Sequence, residues 1–198
     1  MHPKLSSREK LLKSATEMFS RSGFRATSVR DISVRAGVSE MTVFRLFGTK
    51  EAIIREVIDA VMRDAHLAEH ATIALSVGDD IEAMRRAASV FWDAAISKPE
   101  IIRLAIFAAT EEPEINQHRM REYILPFYMT LAKGFQRGVR RGVFKRVHAM
   151  SAVRFLVGGH FALAITDGIM GDEGIPEMAT RLPVETFFDI WLEGVRNK

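Results

Sequence analysis

The side chains best suited to chemistry in this sequence lie close together and offer hydrogen bonds and charge. Four polar residues occur within seven positions: Ser39, Glu40, Thr42 and Arg45. Hydroxyl, carboxylate and guanidinium groups are the ones that bind base edges and phosphate oxygens. If the segment is a helix, these side chains are free to point outward. The pattern therefore indicates a surface that reads a polar, charged partner.

Two short predicted helices, joined by a tight turn, position these residues. Gly37 at the corner tolerates a left-handed backbone without a Cβ clash, and Ser39 is a favourable N-cap for the second helix. The apolar residues that face the other helix and a supporting helix are Val29, Ile32, Ala36, Val38, Val43 and Phe47. This layout is typical of a helix-turn-helix that reads DNA. An ordinary corner between two packed helices is the alternative interpretation.

Positive charge is concentrated at the start of the chain. Residues 1–50 contain ten Lys and Arg residues and four Asp and Glu residues, a net charge of +6, whereas all 198 residues together carry +3. The rest of the chain therefore carries −3. A basic head is typical of a phosphate-binding surface, and the acidic body is not suited to bind a polyanion.

The composition excludes several other classes of protein. There is no cysteine, which rules out disulfides, thiol redox chemistry and cysteine-based zinc sites. The first residues lack the apolar run of a signal peptide. The longest apolar stretch, 153–170, is interrupted by Arg154, His160 and Asp167, so it is not a membrane span. We expect a cytoplasmic protein that uses no cofactor, metal ion or membrane.

Helical periodicity runs through the chain, without strand-like alternation or an internal repeat. Ser6 and Glu9 form a capping box before the first helix, and Thr49 can cap a long fourth helix. We predict an all-α fold of about nine helices. A three-helix helix-turn-helix domain occupies residues 1–50, and a larger helical domain occupies residues 51–198. Pro126 predicts a kink near Glu122.

The segment from Arg8 to Ala52 resembles the DNA-binding domain of the tetracycline-repressor (TetR) family of transcription regulators. The similarity rests on Thr27-Ser28 at the start of the second helix, on Ala36-Gly37-Val38-Ser39 at the corner, and on the run MTVFRLFGTKE from Met41 to Glu51. The rest of the chain matches in being helical and of the expected length. The resemblance implies an N-terminal DNA-binding domain and a body that binds an effector and dimerises.

Three residues depart from the family pattern. Met41 replaces the usual glycine, Phe44 the usual tyrosine, and Leu46 a common histidine. Phe44 has no hydroxyl group to donate to a phosphate. Met41 adds an apolar side chain that suits a thymine methyl group.

Ten residues are predicted to contact DNA. The resemblance places Ser28, Phe44 and Lys50 at positions that bind the DNA backbone in the family, and free N–H groups at helix N-termini also favour phosphate. Base edges are assigned to Met41, Thr42 and Arg45 on the helix that Ser39 begins, and Glu40 suits a cytosine amino group. The full set is Thr27, Ser28, Arg30, Ser39, Glu40, Met41, Thr42, Phe44, Arg45 and Lys50.

A face of small residues and an aromatic final helix predict a dimer interface. Small side chains let helices approach closely, and two helices from each subunit can form a four-helix bundle, which the resemblance also implies. The predicted interface residues are Ala152, Gly158, Gly159, Ala162, Phe187, Phe188 and Trp191. Packing of these faces within one chain is the alternative.

The resemblance further implies a pocket for a small molecule among the middle helices. The predicted lining residues are Phe91, Trp92, Phe107, Met120, Tyr123, Phe127, His160 and Phe161. His160 is the polar candidate, because it lies on an otherwise apolar stripe. Ordinary core packing is the alternative for the aromatic residues, and a hydrogen-bonded core position is the alternative for His160.

These features imply a ligand-responsive, DNA-binding transcriptional regulator. The expected form is a repressor that binds a pseudo-palindromic DNA operator as a homodimer and is released by a small, mostly apolar effector. One alternative is a DNA-binding regulator or architectural protein with no small-molecule effector. A helical enzyme is another. No nucleophile–base pair, phosphate-binding glycine loop or metal motif supports it, so we do not expect an enzyme.

Overall fold

The N-terminal part of the molecule is a small head of three helices. The computed structural model describes residues 5–166 and 184–197. The head consists of α1 (Ser7–Ser22), α2 (Val29–Ala36) and α3 (Glu40–Phe47). The predicted all-α fold with an N-terminal helix-turn-helix is confirmed.

The larger body consists of the helices that follow. They are α4 (Lys50–Ala65), α5 (Leu67–Ala74), α6 (Asp80–Ser97), α7 (Glu100–Glu111), α8 (Pro113–Arg119), α9 (Leu125–Arg140), α10 (Ala149–Ile165) and α11 (Val184–Val195). A π-helical turn, Met120–Ile124, joins α8 to α9. Helices α5, α6, α9 and α10 pack against one another as the centre of the body.

Side-chain caps begin the head helices where the sequence predicts them. The Ser6 hydroxyl accepts from the N–H of Glu9 at 3.2 Å, and the Glu9 carboxylate accepts from the N–H of Ser6 at 2.8 Å. The Ser39 hydroxyl caps α3 by accepting from the N–H of Thr42, and Thr49 caps α4 in the same way. Each cap satisfies an N–H group that has no partner within its helix.

The head and α4 share one apolar core. Its fully or nearly buried side chains are Leu11, Ala15, Phe19, Ile32, Ala36, Val43 and Phe47 of the head with Ile53, Ile54 and Val57 of α4. The Arg8 guanidinium lies 5.3 Å from the centre of the Phe47 ring and pairs with Glu56 of α4. Helix α4 therefore joins the head to the body through apolar packing as well as through the chain.

The long predicted fourth helix is divided in the structure, and the helical stretch that contains Pro126 is irregular. His66 adopts a left-handed φ of 45° and separates α4 from α5. Farther along, Pro126 has no N–H group to pair with the Glu122 carbonyl. The hydrogen-bond spacing widens just before it, where the N–H of Leu125 bonds to the carbonyl of Met120. The irregularity predicted near Glu122 therefore takes the form of a π-helical turn.

Stacked aromatic rings lie between α9 and α11. The Phe135 and Phe144 rings are parallel, with centroids 4.8 Å apart, and Trp191 packs edge-on against both. The Trp191 indole also donates to the carbonyl of Ala152 at 3.0 Å. A Cβ atom at Gly138 would overlap the Phe144 ring. Glycine at this position therefore lets the ring lie directly on α9.

Candidate nucleic-acid interface and ligand cavity

Helix α3 buries one face and exposes the residues predicted to read DNA. Gly37, at φ 68°, makes the turn that begins it. Val43 and Phe47 are buried in the head core, whereas Glu40, Met41, Phe44 and Arg45 are exposed. Met41 is 81% exposed, which is high for an apolar side chain. The exposed face thus combines two apolar side chains with one acid and one guanidinium.

The hydroxyl groups of α3 are already partly engaged. The Ser39 and Thr42 hydroxyl oxygens lie 3.0 Å apart, and the Ser39 hydroxyl also caps the helix. Thr42 is half-buried. Arg45 has no ion pair or hydrogen bond to any residue in the described ranges. Among the predicted base-reading groups, its guanidinium is therefore the most available to a ligand.

The N-terminus of α2 is organised by a reciprocal cap. The Ser28 hydroxyl accepts from the N–H of Asp31 at 3.0 Å, and the Asp31 carboxylate accepts from the N–H of Ser28 at 3.2 Å. Hydrogen bonds from the side chain and the backbone of Ser28 lower the pKa of Asp31. The N–H groups of Val29 and Arg30 have no helical partner. They, and the exposed Arg30 side chain, are the groups at this end of α2 that suit a phosphate.

Lys50 lies in the first turn of α4, beside the head. Its ammonium group is 4.2 Å from the centre of the Phe24 ring, a cation–π contact. The side chain is half-buried, and it forms no ion pair with a described carboxylate. The positive charge therefore has no counter-ion and is held at the head end of the helix.

Thr27 does not take part in the exposed surface. Its side chain is 1% exposed, and its hydroxyl donates to the carbonyl of Gly23 at 2.8 Å. The prediction that Thr27 contacts DNA is wrong for its side chain, because the hydroxyl is used inside the protein to hold the α1–α2 loop.

An apolar cavity of about 160 Å³ lies in the body. Helices α4, α6, α7, α8, α9 and α10 and the π-helical turn contribute to its wall. The lining residues are Met62, Phe91, Ile101, Ile102, Ala105, Arg119, Met120, Ile124, Phe127, Tyr128, Val157 and Phe161. Four predicted ligand-binding residues are among them: Phe91, Met120, Phe127 and Phe161.

The other four predicted ligand-binding residues lie outside this wall. Trp92 is half-buried on α6, and Phe107 packs against Phe24 of the head with ring centroids 5.2 Å apart. The Tyr123 hydroxyl donates to Asp59 of α4 at 3.1 Å, away from the cavity lining. Burial and this hydrogen bond raise the pKa of Tyr123. These side chains join elements of the fold instead of forming the pocket wall.

His160 is a hydrogen-bonded core residue. Its Nδ1 donates to the carbonyl of Leu156 at 2.8 Å, and the Phe187 ring packs edge-on against it at 5.3 Å. Burial lowers the pKa of the imidazole, and this effect outweighs the opposing effects of the Leu156 hydrogen bond and of Asp93. His160 is therefore neutral at pH 7. The alternative interpretation, packing in the core, describes it correctly.

The described residues contain no cluster of His, Asp and Glu side chains with the arrangement of a metal site. Within the same part of the chain, none of the helices combines the length and the apolar character that crossing a bilayer requires.

Comparisons with known proteins agree with the geometry of the head. Residues 11–57 match the family described as "Bacterial regulatory proteins, tetR family". An HTH-type transcriptional repressor from Mycobacterium tuberculosis is 45% identical over 49 residues, which are 25% of this chain and 26% of that protein. The HTH-type transcriptional repressor NicS of Pseudomonas putida is 27% identical over 143 residues, 70% of this chain and 66% of its own length.

The whole fold also has a close structural counterpart. The TetR-family regulator PfmR from Thermus thermophilus superposes with a TM-score of 0.73 over 98% of this chain and 100% of that one, at 23% identity. Residues 11–57 form a TetR-family DNA-binding domain. TetR-family proteins are DNA-binding transcription regulators that act as dimers, and they are not enzymes. The resemblance read from Arg8 to Ala52 is confirmed.

Helix α7 touches both the cavity and the head. Ile101, Ile102 and Ala105 line the cavity. Phe107 contacts Phe24, and the Arg103 guanidinium donates to the carbonyl of Ser20 at 3.4 Å. Arg25 of the head also pairs with Glu111 at the end of α7, at 2.8 Å. One helix thus separates the cavity from the DNA-binding domain.

The predicted dimer residues divide into a surface set and a buried set. Gly158 and Ala162 are exposed on α10, whereas Ala152, Phe188 and Trp191 are buried within the protomer. A Cβ atom at Gly159 would overlap the Phe187 ring, so those two residues pack against each other within the chain. The prediction is wrong for the three buried residues, because they are used for packing within the protomer. Trp191 donates to the Ala152 carbonyl and packs on Phe135, and the Phe188 ring packs on Trp191 and under the Arg85 guanidinium.

The exposed apolar residues of the last two described helices were missed in the sequence. Phe155 of α10 is 72% exposed, and Ile190 of α11 is 65% exposed. Phe155, Gly158 and Ala162 are spaced by three and four residues, so they share one face of α10. This spacing was visible in the sequence, but choosing between two apolar faces required knowing which one the protomer covers.

Arg119 is the polar cavity residue that sequence reasoning missed. It lies in a strongly polar run, Asn116 to Glu122, that suggests an exposed helix. It follows the buried Ile115 by four residues, which places both on one helix face. That spacing was the available signal.

Proposed function

We propose that this TetR-family regulator is a repressor that inserts α3 into the major groove of a pseudo-palindromic operator. The observation that carries the proposal is the division of α3 into a buried face, with Val43 and Phe47, and an exposed face with Met41, Phe44 and Arg45. A helix presented in this way, next to a basic head surface, suits the reading of base edges. Because its target is operator DNA, we infer that it acts in the cytoplasm.

The exposed residues suit different parts of the DNA. We assign Arg45 to a guanine, Met41 to a thymine methyl group and Glu40 to a cytosine amino group. Ser28, Arg30, Phe44 and Lys50 are assigned to the DNA backbone. The Ser39 and Thr42 hydroxyl groups lie close together, and we assign them to one polar contact with the DNA.

We propose a homodimer formed by the exposed faces of α10 and α11. The exposure of Phe155 and Ile190 supports this, since large exposed apolar side chains favour association. Gly158 and Ala162 have small or no side chains on the exposed face of α10, which allows another helix to pack closely. Two heads in one dimer would read half-sites about 34–36 Å apart.

The proposed functions are assigned to two consecutive parts of the chain. Residues 1–50 bind DNA, and residues 51–198 bind the effector and dimerise. All the lining residues of the cavity lie within 62–161, and the exposed face lies within 155–190, which supports this division. Effector binding favours release only if the ligand binds the DNA-free arrangement more tightly than the DNA-bound one.

The test begins with selection of bound sequences from a random duplex DNA pool, followed by affinity measurements at two salt concentrations. A pseudo-palindrome whose affinity falls steeply with salt is the expected result. If no sequence motif is enriched, or if the affinity does not depend on salt concentration, the assignment of α3 as the DNA-reading helix is wrong. A screen of small molecules against the operator complex then separates a ligand-responsive repressor from a DNA binder without an effector.

A further inference from the structure

A buried cation faces the apolar cavity without an acidic partner. Arg119 is 8% exposed and lines the cavity from the last residue of α8. Its Nη2 donates to the Asn116 amide oxygen at 2.8 Å and approaches the Met120 sulfur at 3.6 Å. Its Nε has no hydrogen-bond partner in the described structure. The partners of this guanidinium among the described residues are therefore neutral.

This arrangement is energetically costly for the protein by itself. A buried charge normally has an ion pair, because removing it from water is unfavourable. No carboxylate among the described residues pairs with Arg119, although other arginines of the body, such as Arg137 with Asp80, are paired. Arginine does not escape the cost by losing its proton. An anion that enters the cavity would remove the imbalance.

The geometry points to a ligand with an apolar body and one carboxylate, and to Arg119 as the residue that binds the carboxylate. This inference rests on the proposed effector function of the cavity and names the chemical class of the effector. A guanidinium presents a planar fork that matches a carboxylate. Arg119 is the one charged residue in the lining of the cavity as described, so a monoanion is matched better than a phosphate dianion.

The rest of the wall limits the body of the ligand. Apart from Arg119 and Tyr128, the lining residues are apolar. The Tyr128 hydroxyl forms no hydrogen bond within the described part of the chain and can act as a second donor. A cavity of about 160 Å³ is similar in size to one known to hold benzene, about 150 Å³. A single ring or a short alkyl chain therefore fits.

Two probe pairs test the role of the charge by isothermal titration calorimetry on the full chain. Benzoate is compared with benzamide, and hexanoate with hexanamide, since each pair differs mainly in the anionic group. We expect at least one carboxylate to bind the wild-type protein about tenfold or more tightly than its amide, the effect of a hydrogen bond to a charged group.

Three variants identify the residue responsible. Arg119→Met should abolish the preference for the carboxylate, and Arg119→Lys should retain part of it. Arg121→Met is the matched control, because it removes an exposed charge from the same segment and should leave the preference unchanged.

Equal binding of acid and amide by the wild-type protein, or binding of neither, overturns the inference, as does an unchanged preference in Arg119→Met. If the amides bind equally well and release the operator, the apolar effector of the proposed function survives while the anion site does not. If no probe binds but the operator is still bound with a steep salt dependence, the DNA-binding function stands by itself.

Discussion

At Lys50, a single positive charge begins the helix that joins the head to the body. Lys50→Ala should weaken binding to all DNA sequences alike and reduce the salt dependence of binding by about one charge, because a phosphate contact carries no sequence information. The measurement is operator and non-operator affinity across a salt series. Arg63→Ala removes the same charge 13 residues later on α4, about 20 Å away, and should leave both quantities unchanged.

A change of base preference in Lys50→Ala, with the salt dependence intact, would show that the residue reads a base instead of a phosphate.

Arg45 should behave in the opposite way, because its guanidinium is exposed on α3 and unpaired within the described chain. Arg45→Ala should relax the preference at one operator position in each half-site, at a cost of about 1–3 kcal/mol if the contact is bidentate to guanine. Selection of bound sequences with the variant shows which position loses its preference. A uniform loss over all sequences would reassign Arg45 to the backbone.

The buried His160 makes stability depend on pH. Burial lowers its pKa below the value of about 6.5 in the unfolded chain. Between the lowered pKa and 6.5, the unfolded state binds a proton that the native state does not. The free energy of unfolding therefore falls as the pH decreases through this range and is fully recovered above it.

His160→Gln should reduce this decrease in stability. Glutamine keeps an amide donor for the Leu156 carbonyl but does not titrate. Thermal unfolding between pH 5 and 8 provides the measurement, and His70→Gln, which changes an exposed histidine, is the control. Parallel pH profiles for the wild type and His160→Gln would contradict the assignment.

At the scale of elements, α9 depends on the close approach of a ring to its backbone. Gly138→Ala places a methyl group where the Phe144 ring lies, and overpacking of this kind costs about 1–3 kcal/mol. Gly194→Ala, at a position in α11 with open space for a Cβ atom, should instead stabilise the helix by up to about 1 kcal/mol. Chemical denaturation gives the free energy of unfolding of both variants. If the two substitutions change it equally, the Phe144 ring does not lie against Gly138 as described.

The sequence predicts these elements best where local chemistry decides. Helix starts could be predicted from the N-caps Ser6, Ser39 and Thr49, and the corner from Gly37. These features are readable because each cap or turn involves only neighbours within four residues. The break at His66 lacked such a signal. Its left-handed backbone is uncommon for a residue other than glycine, and it lies between α4 and α5, which both pack on other helices.

At the scale of the whole molecule, the proposed dimer interface is the exposed face of α10. Phe155→Glu should convert the dimer to a monomer, because a charge would replace an apolar contact. Affinity for the full operator should fall about 100-fold or more once the two heads bind separately, while the protomer remains folded. Light scattering and operator binding measure the two effects. Ile73→Glu, an exposed apolar position on α5, is the control.

A monomeric wild-type protein, or a dimer that survives Phe155→Glu, would place the interface elsewhere.

The contributions to the cavity show where sequence reasoning stops. Phe91, Phe127 and Phe161 were predicted because large aromatic residues in central helices are available wall material. Phe107 has the same character but packs on the head, and Arg119 has the opposite character but faces the cavity. These outcomes depend on how separate helices rotate against one another, which no local pattern encodes.

The position of α7 between the cavity and the head predicts the phenotype of mutations in this helix. Its cavity side and its head side are separated by one helix diameter, about 10 Å, so a ligand that displaces Ile101 or Ala105 must also shift Phe107 against Phe24. Alleles that change Phe107 should therefore weaken the response to the effector more than they weaken the binding of operator or effector measured separately. In a cell, such alleles would keep the target genes repressed in the presence of the effector.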